Sequence, residues 1–329
     1  MDKEIKVSIS CLVYNHEKYI KKCLDGLLMQ KTNFRFEILI HDDASTDKSA
    51  DIIREYEVKY PDVIKPIYQT ENQYSKGVKI SFTYQYPRAR GKYIAFCEGD
   101  DYWCDENKLQ LQYEKLEKNP KAVFCGHKVE CITEEGRCLG RYYPTREINK
   151  EFLSSDEMMK ILRDYKYPFQ TSCYFIRANL LTALDSNNTP KFMYLGGDLM
   201  CLMYLLTQGD YIYIDRVMSC YRNNSIGSWS ERNKGQKKQV ALAKNTISAY
   251  LLFDIYTNQI YSEVVRQIIE QELFYIYQVK KDYRMLCNRQ FRRVFKQLTY
   301  KNRLYYHLCV FFPWIEKVYS KYMRRNSRR

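Results

Sequence analysis

Two clusters of carboxylates offer the first chemistry in this 329-residue sequence. Asp42 and Asp43 stand together ahead of Ala-Ser-Thr-Asp, while Glu98, Asp100 and Asp101 fall straight after the apolar run Tyr-Ile-Ala-Phe. By itself, the first cluster suits a strand-to-helix turn that caps the next helix. The second is harder to explain structurally. Three carboxylates at one point repel one another and cost stability unless a cation offsets them. Hard cations such as Mg²⁺ or Mn²⁺ take oxygen ligands and share them with substrate phosphates. A purely structural acidic turn is the competing explanation, and the occurrence of two such clusters favours a metal–phosphate site.

Carboxylates meet only if the elements carrying them do. Residues 5–14 form an apolar run suited to a strand buried on both faces, and residues 17–30 follow with Ile20, Leu24, Leu27 and Leu28 on one helical face. A second buried strand, FEILIHDDAST, a helix at DKSADIIREYEVKY, and strands at VIKPIYQT and KYIAFCEGDD continue the alternation. That pattern predicts an α/β fold with a mostly parallel sheet and helical crossovers. In such sheets ligands bind beyond the carboxyl ends of the strands, which is where Asp42, Asp43, Asp100 and Asp101 fall. After about residue 120 the pattern is mixed, with strands expected at AVFCGHKVECI, TSCYFIR and DYIYIDRVMSCYR and a helix at SSDEMMKILRDY. From 236 to 300 the periodicity is helical, as in a hairpin or small bundle.

Four segments, in order, carry a more specific signal: VSISCLVYNHEKYIKKCLDGLLMQ, FEILIHDDASTDKSADII, GKYIAFCEGDDYWCDENKLQLQ and GGDLMCLMYLLTQGDYIYIDRVMSCYRNNSIGSWS. They are similar to the opening strand and helix, the Asp-Asp-Gly-Ser-Thr-Asp motif, the Asp-x-Asp region and the acceptor-side region of family 2 glycosyltransferases. Members of that family are inverting, nucleotide-sugar-dependent enzymes of the GT-A fold. The resemblance covers about residues 5–230. It implies a GT-A domain over 1–230, with a nucleotide-binding half to about 120 and an acceptor half to about 230, and a basic helical extension over 231–329. It places Tyr14 against the nucleotide base and Asp42 or Asp43 on the uracil or ribose. Asp100 is the expected ligand of a divalent metal, Mn²⁺ or Mg²⁺, that bridges to the diphosphate. Glu98 stands where a shorter Asp is common and is expected on the ribose, or on the metal through water. Asp101 is expected to orient the sugar or support the metal. Asp198, after Gly196-Gly197, matches the catalytic base, Arg222 a diphosphate contact and Trp229 an acceptor contact. Two positions depart from the family pattern: Ala44 stands where Gly is frequent, a mild change, and Asn224 sits near a frequent His.

The implied reaction moves a sugar from a UDP-sugar to a growing, lipid-linked surface-polysaccharide acceptor in one inverting displacement. A carboxylate removes the acceptor proton while a metal stabilises the leaving diphosphate. A nucleotidyltransferase-like metal enzyme, which would release pyrophosphate, and a non-catalytic nucleotide- or sugar-binding protein at the membrane are the alternatives.

Charge is uneven. Residues 1–230 hold 32 basic and 32 acidic side chains, residues 231–329 hold 21 and 7, and the last third thus carries the whole net charge of +14. Residues 304–315 (LYYHLCVFFPWI) are apolar, broken by Pro313, too short to span a bilayer, and flanked by Lys296, Lys301, Arg303 and a cationic C-terminus. That arrangement suits either an interfacial position on an anionic membrane or a helix packed on the protein with a solvated basic tail. The basic residues accompany no recognisable nucleic-acid reader, so no nucleic-acid partner is expected. With no apolar run of about 18 residues and no signal-like N-terminus, the expected location is cytoplasmic, peripheral at the inner face of the cell membrane. The twelve cysteines show no CxxC pair and read as reduced, buried thiols; Cys125, His127, Cys131 and Cys138 match no standard zinc spacing.

Overall fold

The computed structural model describes residues 4–165, 168–185, 187–223, 233 and 235–316. These fall into two compact units, one within Met1–Met193 and Gly197–Glu231, the other within Tyr194–Gly196 and Arg232–Arg329.

In the first unit, β1 (Ile5–Val13) pairs in parallel with β2 (Arg35–Asp42) on one side and β4 (Tyr93–Phe96) on the other, and β2 pairs in parallel with β3 (Ile64–Tyr68). Helix α1 (Ile20–Leu28) crosses from β1 to β2 and α2 (Ser49–Lys59) from β2 to β3. Alternate residues Val7, Ile9, Cys11 and Val13 of β1 join Leu24 and Leu27 of α1 and Ile53 of α2 in one core cluster. Ser8 and Ser10, which face the other way, are buried as well. The strand is thus covered on both faces, as expected, with its apolar residues on one face and small serines on the other.

The second half of the sheet departs from the expected parallel pattern. β9 (Phe175–Arg177) runs antiparallel to β4 and to β6 (Ala122–Ile132), and β6 runs parallel to β10 (Asp210–Arg222). Short strands β5 (Tyr102–Trp103) and β8 (Phe152–Leu153) lie antiparallel to β10, and β7 (Cys138–Tyr143) antiparallel to β6. The resulting order, β3-β2-β1-β4-β9-β6-β10-β5, is a mixed sheet in which β3-β2-β1-β4 and the β6-β10 pair are parallel, with β9 running antiparallel between them. Helix α3 (Lys108–Lys118) precedes β6, and α4 (Ser155–Asp164) starts at a capping box in which Ser154 and Glu157 bond each other's backbone N–H. The short helix α5 (Asn179–Thr182) follows β9, and α6 (Asp198–Leu206), apolar almost throughout and buried, precedes β10.

The second unit is helical. Gln236–Tyr256 and Ser262–Lys280 form a hairpin, followed by Tyr283–Leu286, Arg292–Gln297 and Tyr300–Phe311 around Phe274, Leu286, Phe291 and Val294. The helical periodicity expected over 236–300 is interrupted at Lys281, whose φ of 58° closes the preceding helix in a left-handed cap.

Candidate active site

The register of the parallel strands sets the site. Val13 lies beside Asp42, so β1 and β2 end together, and β4 ends beside Ser10, so its following turn runs along the last residues of β1 at the same carboxyl end of the sheet. Tyr14 sits there, half-buried, directly past β1. The loop it opens is stapled to the loop after β2. The amides of Asn15 and His16 donate to Ser45 Oγ (2.9 Å) and Ser49 Oγ (2.8 Å), Thr46 N donates to Asn15 Oδ1 (2.8 Å), and Glu17 N donates to Asp47 Oδ2 (2.9 Å).

Asp42 and Asp43 are both buried and both hold backbone in place. Asp42 accepts from the amide and hydroxyl of Ser45; burial raises its pKa and these bonds oppose the rise. Asp43 accepts from the amides of Gln73 (2.8 Å) and Tyr74 (3.0 Å), pinning the segment after β3. Buried His41 lies 3.6 Å from Asp43, and burial lowers its pKa. Directly after Asp43, Ala44 adopts φ 61°. That left-handed backbone corrects the reading of Ala44 as a mild change, since a Cβ in this region is strained.

The acidic turn Glu98–Asp101 leaves the end of β4. Cys97 N donates to Ser10 O and Gly99 N to Leu12 O (2.9 Å), which holds the turn against β1. A Cβ on Gly99 would lie 2.8 Å from His16 Nδ1 and 3.0 Å from Val13 Cγ2, so the close approach of the two loops requires glycine. Glu98 is crowded by protein, by Asp198 and by Asp100, and its pKa is held well above the ordinary carboxylate range. Asp101, buried, is raised by burial and by Asp100, against the 2.8 Å bond it accepts from Arg222 N.

Asp198 is the first residue of α6. Its side chain reaches solvent, yet the surrounding protein lifts its pKa to about 6. Its charge acts on Glu98 and on the hydroxyls of Tyr86 and Tyr174. Carboxylates far apart in sequence, one just past a strand end and one at a helix start, are therefore close enough to act on each other. Sequence reasoning missed the two tyrosines, both buried, whose positions in QYPRAR and TSCYFIR carry no chemical signal.

Arg222 reaches the site by a route that its expected diphosphate contact did not foresee. It is buried and stacks 4.5 Å from the centroid of Tyr19. Nε donates to Asp100 O (2.9 Å), and Nη1 donates to the carbonyls of Thr133 (3.1 Å) and Glu134. These bonds make the side chain a brace behind the acidic turn. A second unforeseen support is Lys108, 0% exposed, with Nζ 2.7 Å from Gln112 Oε1 and 3.8 Å from the Trp103 ring centroid. Burial pulls its pKa down to about 8. Trp229, expected at the acceptor, and Asn224 lie outside the described residues.

Among the described residues no group of three or more His, Cys, Asp or Glu side chains is arranged to hold a metal on its own. The site nonetheless fits a hard cation of the Mg²⁺ or Mn²⁺ kind. Such ions take one or two protein carboxylates and complete their shell with substrate phosphate and water, and carboxylates whose pKa values are raised by burial and by one another favour a cation between them. All twelve cysteines are unpaired.

The family model for Glycosyl transferase family 2 matches residues 8–181, a span that contains both loops and the acidic turn. The chain belongs to this family. Among its relatives, an uncharacterized protein of Mycobacterium tuberculosis, Rv1520, is 31% identical over 237 residues, 70% of this chain and 63% of its own length. The chain thus spans less than two thirds of that relative. A poly(ribitol-phosphate) beta-glucosyltransferase of Bacillus spizizenii is 39% identical over 133 residues, 40% of this chain and 20% of the relative. Two solved structures share the fold. S. aureus TarS 1-349 in complex with UDP-GlcNAc has a TM-score of 0.53 at 17% identity, covering 92% of this chain and 87% of that one. The mannosyltransferase PcManGT of Pyrobaculum calidifontis, in complex with GDP-Man and Mn²⁺, has a TM-score of 0.54 at 12% identity, covering 86% and 75%. This family 2 chain thus has the GT-A-type architecture of its structural neighbours, with a helical C-terminal region.

Proposed function

We propose that the protein transfers a sugar, with inversion, from a nucleoside-diphosphate sugar to a hydroxyl of a growing, lipid-linked surface glycan. The observation that carries this reading is the meeting of Asp198, at the start of α6, with the Glu98–Asp101 turn at the end of β4. The family's structural neighbours hold UDP-GlcNAc or GDP-Man with Mn²⁺, and a relative is named for glucosyl transfer to poly(ribitol phosphate).

In this reading Asp198 accepts the proton of the acceptor hydroxyl as the oxygen bonds to the anomeric carbon and the bond to the diphosphate breaks. A pKa of about 6 leaves it ionised near neutral pH and basic enough to take that proton. Asp100 would hold the divalent cation, with Glu98 within reach directly or through water. Bound there, the cation supplies positive charge for the leaving nucleoside diphosphate. Arg222 holds the turn that presents Asp100 and Asp101, and Tyr14, Asp42 and Asp43 line the neighbouring loops where the nucleoside would lie. A UDP-sugar is the donor we favour, on the uracil or ribose contact that the family motif assigns to Asp42–Asp43.

Calorimetric titration with UDP, GDP and dTDP, with and without Mn²⁺, and with Asp100→Ala alongside, tests the reading. Metal-dependent binding of one nucleotide, lost in the variant, is the expected result. A folded protein that binds none of the three would overturn it.

A further inference from the structure

The helix Tyr300–Phe311 has two faces with different surroundings. One packs into the helical unit: Tyr306 lies 5.9 Å from Tyr283 and 6.4 Å from Phe274, ring centre to ring centre, and its hydroxyl accepts a 2.7 Å bond from Gln278. Cys309 on that face is buried. At 100° per residue, Tyr300, Leu304, His307 and Phe311 fall within about 60° of arc on the opposite side. Tyr300 is 72% exposed and Phe311 74%, and the exposed apolar surface continues through Phe312 to Trp314 at 61%. Single exposed hydrophobics are ordinary, but Tyr300, Leu304 and Phe311 together on one helix face, continued by Phe312 and Trp314, mark a docking surface.

Charge identifies the partner. Lys301 and Arg303 flank the seam on its two sides, and the sequence after Glu316 adds Lys317, Lys321, Arg324, Arg325, Arg328 and Arg329. A second copy of the chain would bring two such basic arrays together and repel. An anionic lipid surface instead offers uniform negative charge around an apolar boundary, where aromatic rings settle at headgroup depth and Lys and Arg reach the phosphates. No described helix is long and apolar enough to cross a membrane, so the contact is one that lies on the surface. We propose that the Tyr300–Leu304–Phe311–Trp314 seam docks in the plane of an anionic bilayer. The exposed seam and its charges do not depend on the transfer reaction.

Cosedimentation of the full chain with phosphatidylcholine vesicles, with and without phosphatidylglycerol, tests this directly. Wild type should bind the anionic vesicles, weaken in high salt and ignore the neutral ones. The triple variant Leu304→Ser, Phe311→Ser, Trp314→Ser, with its thermal unfolding checked, should bind at least about tenfold more weakly. Trp314 fluorescence should shift to the blue on binding. Equal sedimentation of variant and wild type, or binding to neither vesicle, overturns the proposal. Concentration-dependent self-association that the triple variant abolishes, without lipid binding, also overturns it and makes the seam an interface between copies.

Discussion

Asp198 allows the proposed chemistry to be tested before the acceptor is known. Only its ionised form can take a proton. With a pKa of about 6, roughly nine-tenths of it is ionised near pH 7 and roughly one-tenth near pH 5. The kcat/KM for release of nucleoside diphosphate from the donor should therefore fall about tenfold across that interval. Replacing Asp198 with Asn keeps the shape and removes the base, a change expected to cost about 10²–10⁴ in kcat. Donor affinity should stay within about threefold, since the side chain is assigned to the acceptor face. Glu98 is the competing source of an acid limb, because its pKa is also raised, in part by Asp198. The variant separates the two. A limb belonging to Asp198 disappears in Asp198→Asn, whereas one belonging to Glu98 survives and moves to lower pH as the repulsion is removed. Turnover of Asp198→Asn within tenfold of wild type, or an unmoved acid limb, would refute the assignment.

Other consequences concern stability. Folded-state pKa values raised above the unfolded range mean that the native protein binds protons more tightly, so this contribution is present at low pH and is lost as pH rises through about 6 for Asp198. Mn²⁺ should therefore raise Tm above about pH 7, and Asp100→Ala should remove that gain. Ala44→Gly relieves the φ of 61° and should stabilise by about 1 kcal/mol in urea unfolding, with donor binding unchanged. Arg222→Lys cannot reproduce the forked contacts to Asp100, Thr133 and Glu134. It should cost about 1–3 kcal/mol and weaken metal-dependent nucleotide binding, and a fully stable variant with normal binding would remove its bracing role. Lys108→Met strips Gln112 Oε1 of its donor and should lower stability by about 1–3 kcal/mol, read as a shift in the urea midpoint.

Much of the parallel half of the fold was legible because its causes are local. The burial of one face of β1 follows from its alternating Val7, Ile9, Cys11 and Val13, and α4 announces itself through Ser154 and Glu157. The antiparallel strands β5, β7 and β8 were not legible, since two- to six-residue segments have too few positions to show a period and owe their pairing to β6 and β10. The break at Lys281 escaped for a similar reason: nothing in its residue type forbids helix, and a cap bond to Gln278 decides it.

The site divides along the same line. Sequence alone determined that carboxylates stand at the ends of β2 and β4, because strand length and the following turn are properties of adjacent residues. It also determined that the positive charge lies in the last third. Only the tertiary structure decided what those groups do to one another. It set Asp198 against Glu98, gave Arg222 bonds that brace the acidic turn, gave Asp42 and Asp43 bonds that hold their own loops, and split the apolar run at 304–315 into a packed face and an exposed one. The physical reason is range. Periodicity and turn chemistry act over a few residues, whereas repulsion between carboxylates, desolvation and hydrogen bonds to distant carbonyls depend on distances that only the assembled sheet sets.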